Sequence, residues 1–111
     1  PPEASEPIRQ AIREALEYQS YLIYPSGLDY LIQNGFDEEE IIQNLMAYID
    51  KGCRIYKMLG EDKAGKYQCV LKYTDIQVYT KLANKSKEET EAWFVALDFH
   101  APNTGYAPLP D

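Results

Sequence analysis

The spacing of the hydrophobic positions changes once along the chain, at Gly52. Before Gly52 they recur every three or four residues, which is the period of an amphipathic helix. After Gly52 they alternate with polar positions, which is typical of strands. A chain of 111 residues predicts one domain over 1–111. We expect its helices at about 5–51, its sheet at about 53–100 and an extended tail at 101–111.

Three helices are predicted in the first half. The first occupies SEPIRQAIREALEYQSYLIY and is ended by the proline that follows it. The second occupies SGLDYLIQNG, with Ser26 as its N-cap. The third, FDEEEIIQNLMAYIDKG, has the clearest signals, because Asp37 is an N-cap followed by three glutamates and a glycine closes the stretch.

Four strands are predicted in the second half. They lie at about 53–59, 66–73, 76–83 and 92–100. The links between them are short, which favours an antiparallel meander. Helices first and strands afterwards predict an α+β fold, in which the N-terminal helices pack on one face of an antiparallel sheet of four strands or slightly more.

Alternation also assigns the strand side chains to the two faces of the sheet. The apolar sets should meet the helices. The opposite face should then collect Lys66, Gln68, Lys72, Gln77, Tyr79, Lys81, Asp98 and His100. Lys57 alternates with Ile55 and Leu59, so its parity directs it toward the helices, and only a bulge or an edge position would turn it to the polar side.

The charge is distributed unevenly along the chain. The net charge is −7, yet residues 51–87 hold nine basic and three acidic residues, a net charge of +6. Residues 1–50 hold two basic and ten acidic residues, a net charge of −8. An acidic chain argues against nonspecific affinity for nucleic acid. The basic block allows a local anion-binding face, and the alternative is that its lysines are ordinary solubilising strand residues.

Neither the cysteines nor the hydropathy indicates an extracellular or membrane protein. Cys53 and Cys69 fit no zinc spacing, and we expect both to be reduced, with a cross-strand disulfide as the alternative. The sequence has no signal peptide and no long apolar run, which predicts a cytoplasmic protein without a membrane segment. The chain begins Pro1-Pro2 without a methionine, which indicates a trimmed chain or part of a longer one.

The polar groups on the predicted sheet suit the cleavage of RNA by its own 2′-hydroxyl. Lysines can stabilise charge on the phosphate, a tyrosine or histidine can move protons, and exposed aromatic rings can stack on bases. This chemistry needs no metal and no cofactor. Acyl transfer is disfavoured, because the chain has one histidine and no G-x-S-x-G motif. Each residue also has a structural interpretation; His100, for instance, could simply bond Asp98.

Several stretches resemble the MqsR-type toxins of bacterial toxin–antitoxin pairs, which have a RelE-like ribonuclease fold. The resemblance covers about residues 26–101 and is carried by NGFDEEEIIQNLMAYIDKGCRIYKML, KYQCVLKY, IQVYTKL and WFVALDFH. The family comprises metal-independent mRNA interferases that act on single-stranded mRNA and are neutralised by a cognate antitoxin. The acidic balance, the first helix and the link NKSKEETE depart from the family pattern.

The resemblance implies a set of site residues. Lys57, Gln68 and Tyr79 match the family's functional lysine, glutamine and tyrosine, and His100 stands where the family has a basic residue in its last strand. We therefore predict these four as catalytic. RNA binding is predicted for Lys66, Lys72, Gln77 and Lys81. The alternative hypothesis is a non-catalytic regulator, immunity protein or inhibitor on the same fold, which would use its acidic surface to bind a basic partner.

Overall fold

The computed structural model describes residues 1–71, 74, 76–84 and 93–102 of the chain. Within these ranges the elements follow the order α1 (Glu6–Glu17), β1 (Tyr21–Ile23), α2 (Pro25–Gln33), α3 (Glu38–Asp50), β2 (Tyr56–Lys57), β3 (Lys66–Leu71), β4 (Ile76–Asn84) and β5 (Trp93–His100). The strands form one sheet in the order β1-β5-β4-β3-β2. The predicted α+β class is confirmed.

The sheet differs from the predicted meander at one edge. Strands β2 to β5 pair antiparallel in sequence order, as the short links indicated. Strand β1 adds to the outer side of β5 in the parallel direction, with Tyr21 opposite Val95 and Ile23 opposite Leu97. The sheet is therefore mixed, and the prediction of a purely antiparallel sheet is wrong at this edge.

The parallel strand comes from a segment that was predicted to be helical. Helix α1 ends at Glu17, and Gln19 then adopts a left-handed conformation with φ of 57°. The next residues extend, and the Ser20 carbonyl accepts a hydrogen bond from the Val95 amide at 3.1 Å. Aromatic and β-branched side chains at Tyr21 and Ile23 favour this extended form, and pairing with β5 outweighs further helix growth.

Local signals place the third helix as predicted. The Asp37 side chain accepts a hydrogen bond from the Glu40 amide at 3.0 Å, which confirms the N-cap of α3. Gly52 has a φ of +87°, a conformation that glycine adopts without a steric penalty, and the chain leaves the helix there. Helix α2 begins earlier than predicted, because Tyr24 is the N-cap and Ser26 lies inside the first turn.

One hydrophobic core lies between the helices and the sheet. The helices contribute buried side chains from every one of their apolar stripes, including Ile12, Leu16, Leu31, Leu45 and Ile49. Strands β4 and β5 contribute the inward set Val78, Val95, Leu97 and Phe99, whose exposed fraction is 0%. The polar side chains of the same strands are thereby turned to the opposite face of the sheet.

Two arginines of α1 hold α3 in place. Arg9 donates to the carbonyl of Ile49 at 3.0 Å and also to the carbonyl of Cys53, so it binds the C-terminal end of α3, where carbonyls lack helical partners. Arg13 donates to both carboxylate oxygens of Asp50, at 2.9 and 3.2 Å. This hydrogen bond holds the pKa of Asp50 below its usual value.

The edge strand β2 is shorter than predicted and pairs on both sides. It contains only Tyr56–Lys57, against the expected 53–59. Its outer side binds the N-terminal segment, where the Ala4 amide donates to the Ile55 carbonyl at 2.7 Å and the Lys57 amide donates to the Pro2 carbonyl at 2.8 Å. The N-terminal residues thus protect an edge that would otherwise be open to pairing with another chain.

Candidate active site

The sheet face turned away from the helices carries polar side chains at adjoining positions. Residues that pair directly across strands point to the same side of a sheet, so the register groups them into rows. We call this surface the polar face, and its rows are Gln77 with His100, then Gln68 with Tyr79 and Asp98, then Lys66 with Lys81 and Ala96. The rows bring candidate proton-transfer groups and ammonium groups onto one surface.

His100 and Asp98 form a hydrogen-bonded pair at the end of β5. Their side chains lie two residues apart on the same face of the strand, and Nε2 of His100 is 2.8 Å from Oδ2 of Asp98. A carboxylate can only accept, so Nε2 donates, and a neutral His100 then carries its lone pair on Nδ1. The pair therefore sets the tautomer in which a histidine can take up a proton.

Asp98 is held by the N-terminal turn of α2. The Ser26 hydroxyl donates to its carboxylate, with distances of 3.2 and 3.4 Å to the two oxygens, and the Phe99 amide donates to Oδ1 at 3.1 Å. The start of a helix also stabilises negative charge, because unpaired backbone amides point toward it. These contacts hold the Asp98 carboxylate in a fixed position beside His100.

Tyr79 also contacts the histidine ring. The two ring centroids are 5.2 Å apart and the planes meet at 68°, an edge-to-face arrangement. Tyr79 and Asp98 belong to the row that lies between His100 and the lysine row. Both contacts therefore fix the position of the His100 imidazole, with one row between it and the row of Lys66 and Lys81.

Lys66 and Lys81 are directly opposite each other in the antiparallel β3–β4 pair. Like charges at such a position repel and destabilise a sheet, since their Cβ atoms lie about 5 Å apart. An anion placed between the two ammonium groups would remove this repulsion. The pair thus has the arrangement of an anion site, on the same surface as the imidazole of His100.

An open cavity of about 480 Å³ joins these groups. Its lining includes Tyr24, Lys66, Tyr79, Lys81, Asp98 and His100. Ala96 contributes to the lining between the lysines and β1, where its small side chain leaves room. The cavity is on the polar face, and its volume is within the range of small-ligand sites.

The close approach of α2 to β5 requires glycine at position 27. A Cβ at Gly27 would lie 2.5 Å from Oδ1 of Asp98 and 2.8 Å from the backbone nitrogen of Phe99. We predict that Gly27→Ala destabilises the fold by about 1–2 kcal/mol, because the overpacking exceeds the gain in helix propensity. Urea unfolding measures this difference.

Gln33→Ala is the matched control for the glycine substitution. Gln33 lies at the exposed end of the same helix, and its replacement should change the free energy of unfolding by no more than about 0.5 kcal/mol. A Gly27→Ala variant more stable than the wild-type protein would show that α2 does not approach Asp98 this closely.

The two predicted glutamines lie on the polar face but are not presented to solvent. Gln68 is 7% exposed and Gln77 is 4% exposed. Nε2 of Gln77 donates to Oε1 of Gln68 at 3.2 Å, which satisfies part of the hydrogen-bonding capacity of both amides. In this arrangement the glutamines support the surface next to Tyr79 and His100, and neither contributes to the cavity lining.

The register separates Lys57 from the other predicted catalytic residues. Lys57 pairs with Tyr67, which pairs with Thr80, and this row faces the helices. Its position in the register agrees with the parity in the sequence, but at the sheet edge the side chain is exposed and is not covered by the helices. The bulge that would have turned it to the polar face is not found in β2. Lys72, predicted to bind RNA, lies outside the described residues.

Several contributions to this surface were not predicted from the sequence, among them Met58 and Lys63 of the cavity lining. Tyr24, Ser26 and Gly27 form the start of α2, and they reach the polar face only because the preceding residues pair with β5. A glycine two residues after a proline at a helix start is a signal of close packing. The residue that lies against Gly27, Asp98, could not be predicted without the position of β1.

The two cysteines do not join the site. Cys53 and Cys69 are both free and buried. Burial raises the pKa of each thiol, which disfavours the nucleophilic thiolate. Among the described residues there is no cluster of three or more metal-ligating side chains, and no helix long and apolar enough to cross a membrane.

Comparison of the chain with protein-family models, with curated proteins and with solved structures gave no match. The assignment of a function therefore depends on the geometry of the polar face and on the motifs described above.

Proposed function

We propose that this protein is a metal-independent endoribonuclease that cleaves single-stranded mRNA as the toxin of a bacterial toxin–antitoxin pair. The observation that carries the proposal is the opposed pair Lys66 and Lys81 on the same cavity as the His100–Asp98 pair. An anion site beside an oriented imidazole is the minimum that cleavage of a phosphodiester requires. The RelE-like fold and the cognate antitoxin follow from the resemblance and belong to the same proposal.

In the proposed reaction the RNA phosphorus is transferred from the 5′ oxygen of one nucleotide to the 2′ oxygen of the nucleotide before it. The 2′ oxygen forms a bond to phosphorus while the bond from phosphorus to the 5′ oxygen breaks. The products are a 2′,3′-cyclic phosphate and a 5′-hydroxyl. Neutral His100 takes the proton of the 2′-hydroxyl on Nδ1, and the imidazolium returns it through solvent to the leaving 5′ oxygen. The enzyme is unchanged at the end of the cycle.

The two lysines, Asp98 and Tyr79 have supporting roles in the proposed reaction. Lys66 and Lys81 stabilise the charge that develops on the phosphate oxygens. Asp98 is a positioning residue, since it holds the tautomer of His100 and stabilises the imidazolium. Tyr79 supports the ring from its edge-to-face contact.

The test incubates the purified protein with a mixed RNA in EDTA and analyses the product ends. The wild-type protein should produce 2′,3′-cyclic phosphates. The double variant Lys66→Ala/Lys81→Ala should lose about 10²-fold or more of this activity, as expected for loss of charge stabilisation at the phosphate. Lys51→Ala/Arg54→Ala is the charge-matched control, because both side chains are exposed and neither lines the cavity.

A second function is favoured by the acidic surface of the helical layer. Residues 1–50 carry a net charge of −8, and Glu38, Glu39 and Glu40 are all exposed in the first turn of α3. This surface would suit a non-catalytic module that binds a basic protein. A wild-type protein that neither cleaves RNA nor arrests growth when induced in cells would favour this second function and contradict the first.

A further inference from the structure

The cavity is lined by residues from both edges of the sheet. Its lining reaches Tyr24 beside β1 at one end and Met58 after β2 at the other. The two outer strands of this five-stranded sheet lie about 19 Å apart, at a spacing of about 4.8 Å between neighbours. This distance is longer than a single phosphate needs, so the cavity, which we call the groove, has room for more than one nucleotide.

Tyr24 has a defined position at the end of this groove. Its amide donates to the Leu97 carbonyl at 2.9 Å, which continues the parallel pairing by one residue and places Tyr24 opposite Asp98. Alternation along β1 puts it on the polar face, on the same side as Leu22. The side chain is 40% exposed and lines the cavity. An aromatic ring is thus held rigidly at its base and presented to the groove.

We propose that Tyr24 stacks on a base of the bound single-stranded RNA while the adjoining phosphate lies between Lys66 and Lys81. This inference rests on the proposed function and specifies how the substrate is held. Aromatic rings next to ammonium groups are the usual elements of single-strand binding, because every base offers a flat face. The small side chain of Ala96 leaves the space between Tyr24 and the lysines open to the sugar.

A fluorescent RNA tests this inference without requiring turnover. The probe is a short oligoribonucleotide with 2-aminopurine at one position and 2′-deoxyribose at every sugar 5′ to a scissile phosphate, so it cannot be cleaved. Stacking quenches 2-aminopurine. Wild-type protein should bind with quenching, Tyr24→Phe should behave like wild type, and Tyr24→Ala should lose the quenching and bind about 5- to 100-fold more weakly.

Tyr18→Ala is the matched control, because Tyr18 is 75% exposed but does not line the cavity. Equal binding and quenching by Tyr24→Ala and Tyr18→Ala would overturn the role of Tyr24 while leaving the nuclease proposal intact. A wild-type protein that binds no RNA probe would overturn both. Quenching in a wild-type protein that does not cleave natural RNA would support the groove and contradict only the catalytic proposal.

Discussion

Replacing His100 with alanine is expected to lower the rate of RNA cleavage by a factor of about 10²–10⁴, the usual contribution of a general base. The imidazole is the one group on the described polar face that combines a bonded carboxylate partner with a nitrogen lone pair that can accept a proton. Single-turnover cleavage of a defined RNA measures the loss, because it separates the chemical step from product release.

The control for this variant separates catalysis from folding. His100→Gln keeps a polar side chain of similar reach but cannot take up the proton, and we expect it to be as inactive as His100→Ala. Both variants should keep the thermal transition of the wild-type protein within a few degrees, since His100 is partly exposed. Wild-type cleavage by either variant would assign the proton transfer to another residue.

Phe99→Ala is expected to destabilise the protein by about 3–5 kcal/mol. Phe99 lies between Asp98 and His100 in the sequence. Its side chain is fully buried in the core, and its amide donates a hydrogen bond to the Asp98 carboxylate. Removing the ring leaves a cavity beneath the strand that carries the site. The free energy of unfolding in urea measures the effect.

An exposed apolar side chain provides the comparison for Phe99. Leu59 is 66% exposed, and Leu59→Ala should change the free energy of unfolding by less than about 0.5 kcal/mol. A Phe99→Ala change as small as that of Leu59→Ala would mean that β5 is not packed against the helices in solution, and the geometry of the site would then lose its support.

Features set by neighbouring residues were predictable from the sequence. The cap at Asp37 and the glycine at position 52 depend only on local backbone chemistry, and both ends of α3 were located. Strict alternation in β3, β4 and β5 identified which side chains face the helices. That reasoning brought Tyr79, Lys81 and His100 to one surface before any contact was known.

Features set by distant pairing were not predictable. The segment Tyr21–Ile23 continues the helical pattern of α1, and only β5, far along the chain, draws it into the sheet. The sequence indicates only a helix cap for Ser26. Its hydrogen bond to Asp98 depends on the same pairing of β1 with β5 and was therefore not predictable. Parity placed Gln68 and Gln77 on the correct face but could not show that the two amides bond each other and are buried.

The parallel pairing of β1 with β5 also joins two parts of the chain that are far apart in the sequence. It joins residues 21–23 to residues 95–97, so a loop containing most of the chain must close before the contact forms. Ser26 can meet Asp98 only after that closure. A chain still emerging from the ribosome without β5 therefore lacks both residues of the His100–Asp98 pair and the partner of Ser26, so the candidate site is completed only after its last strand is made.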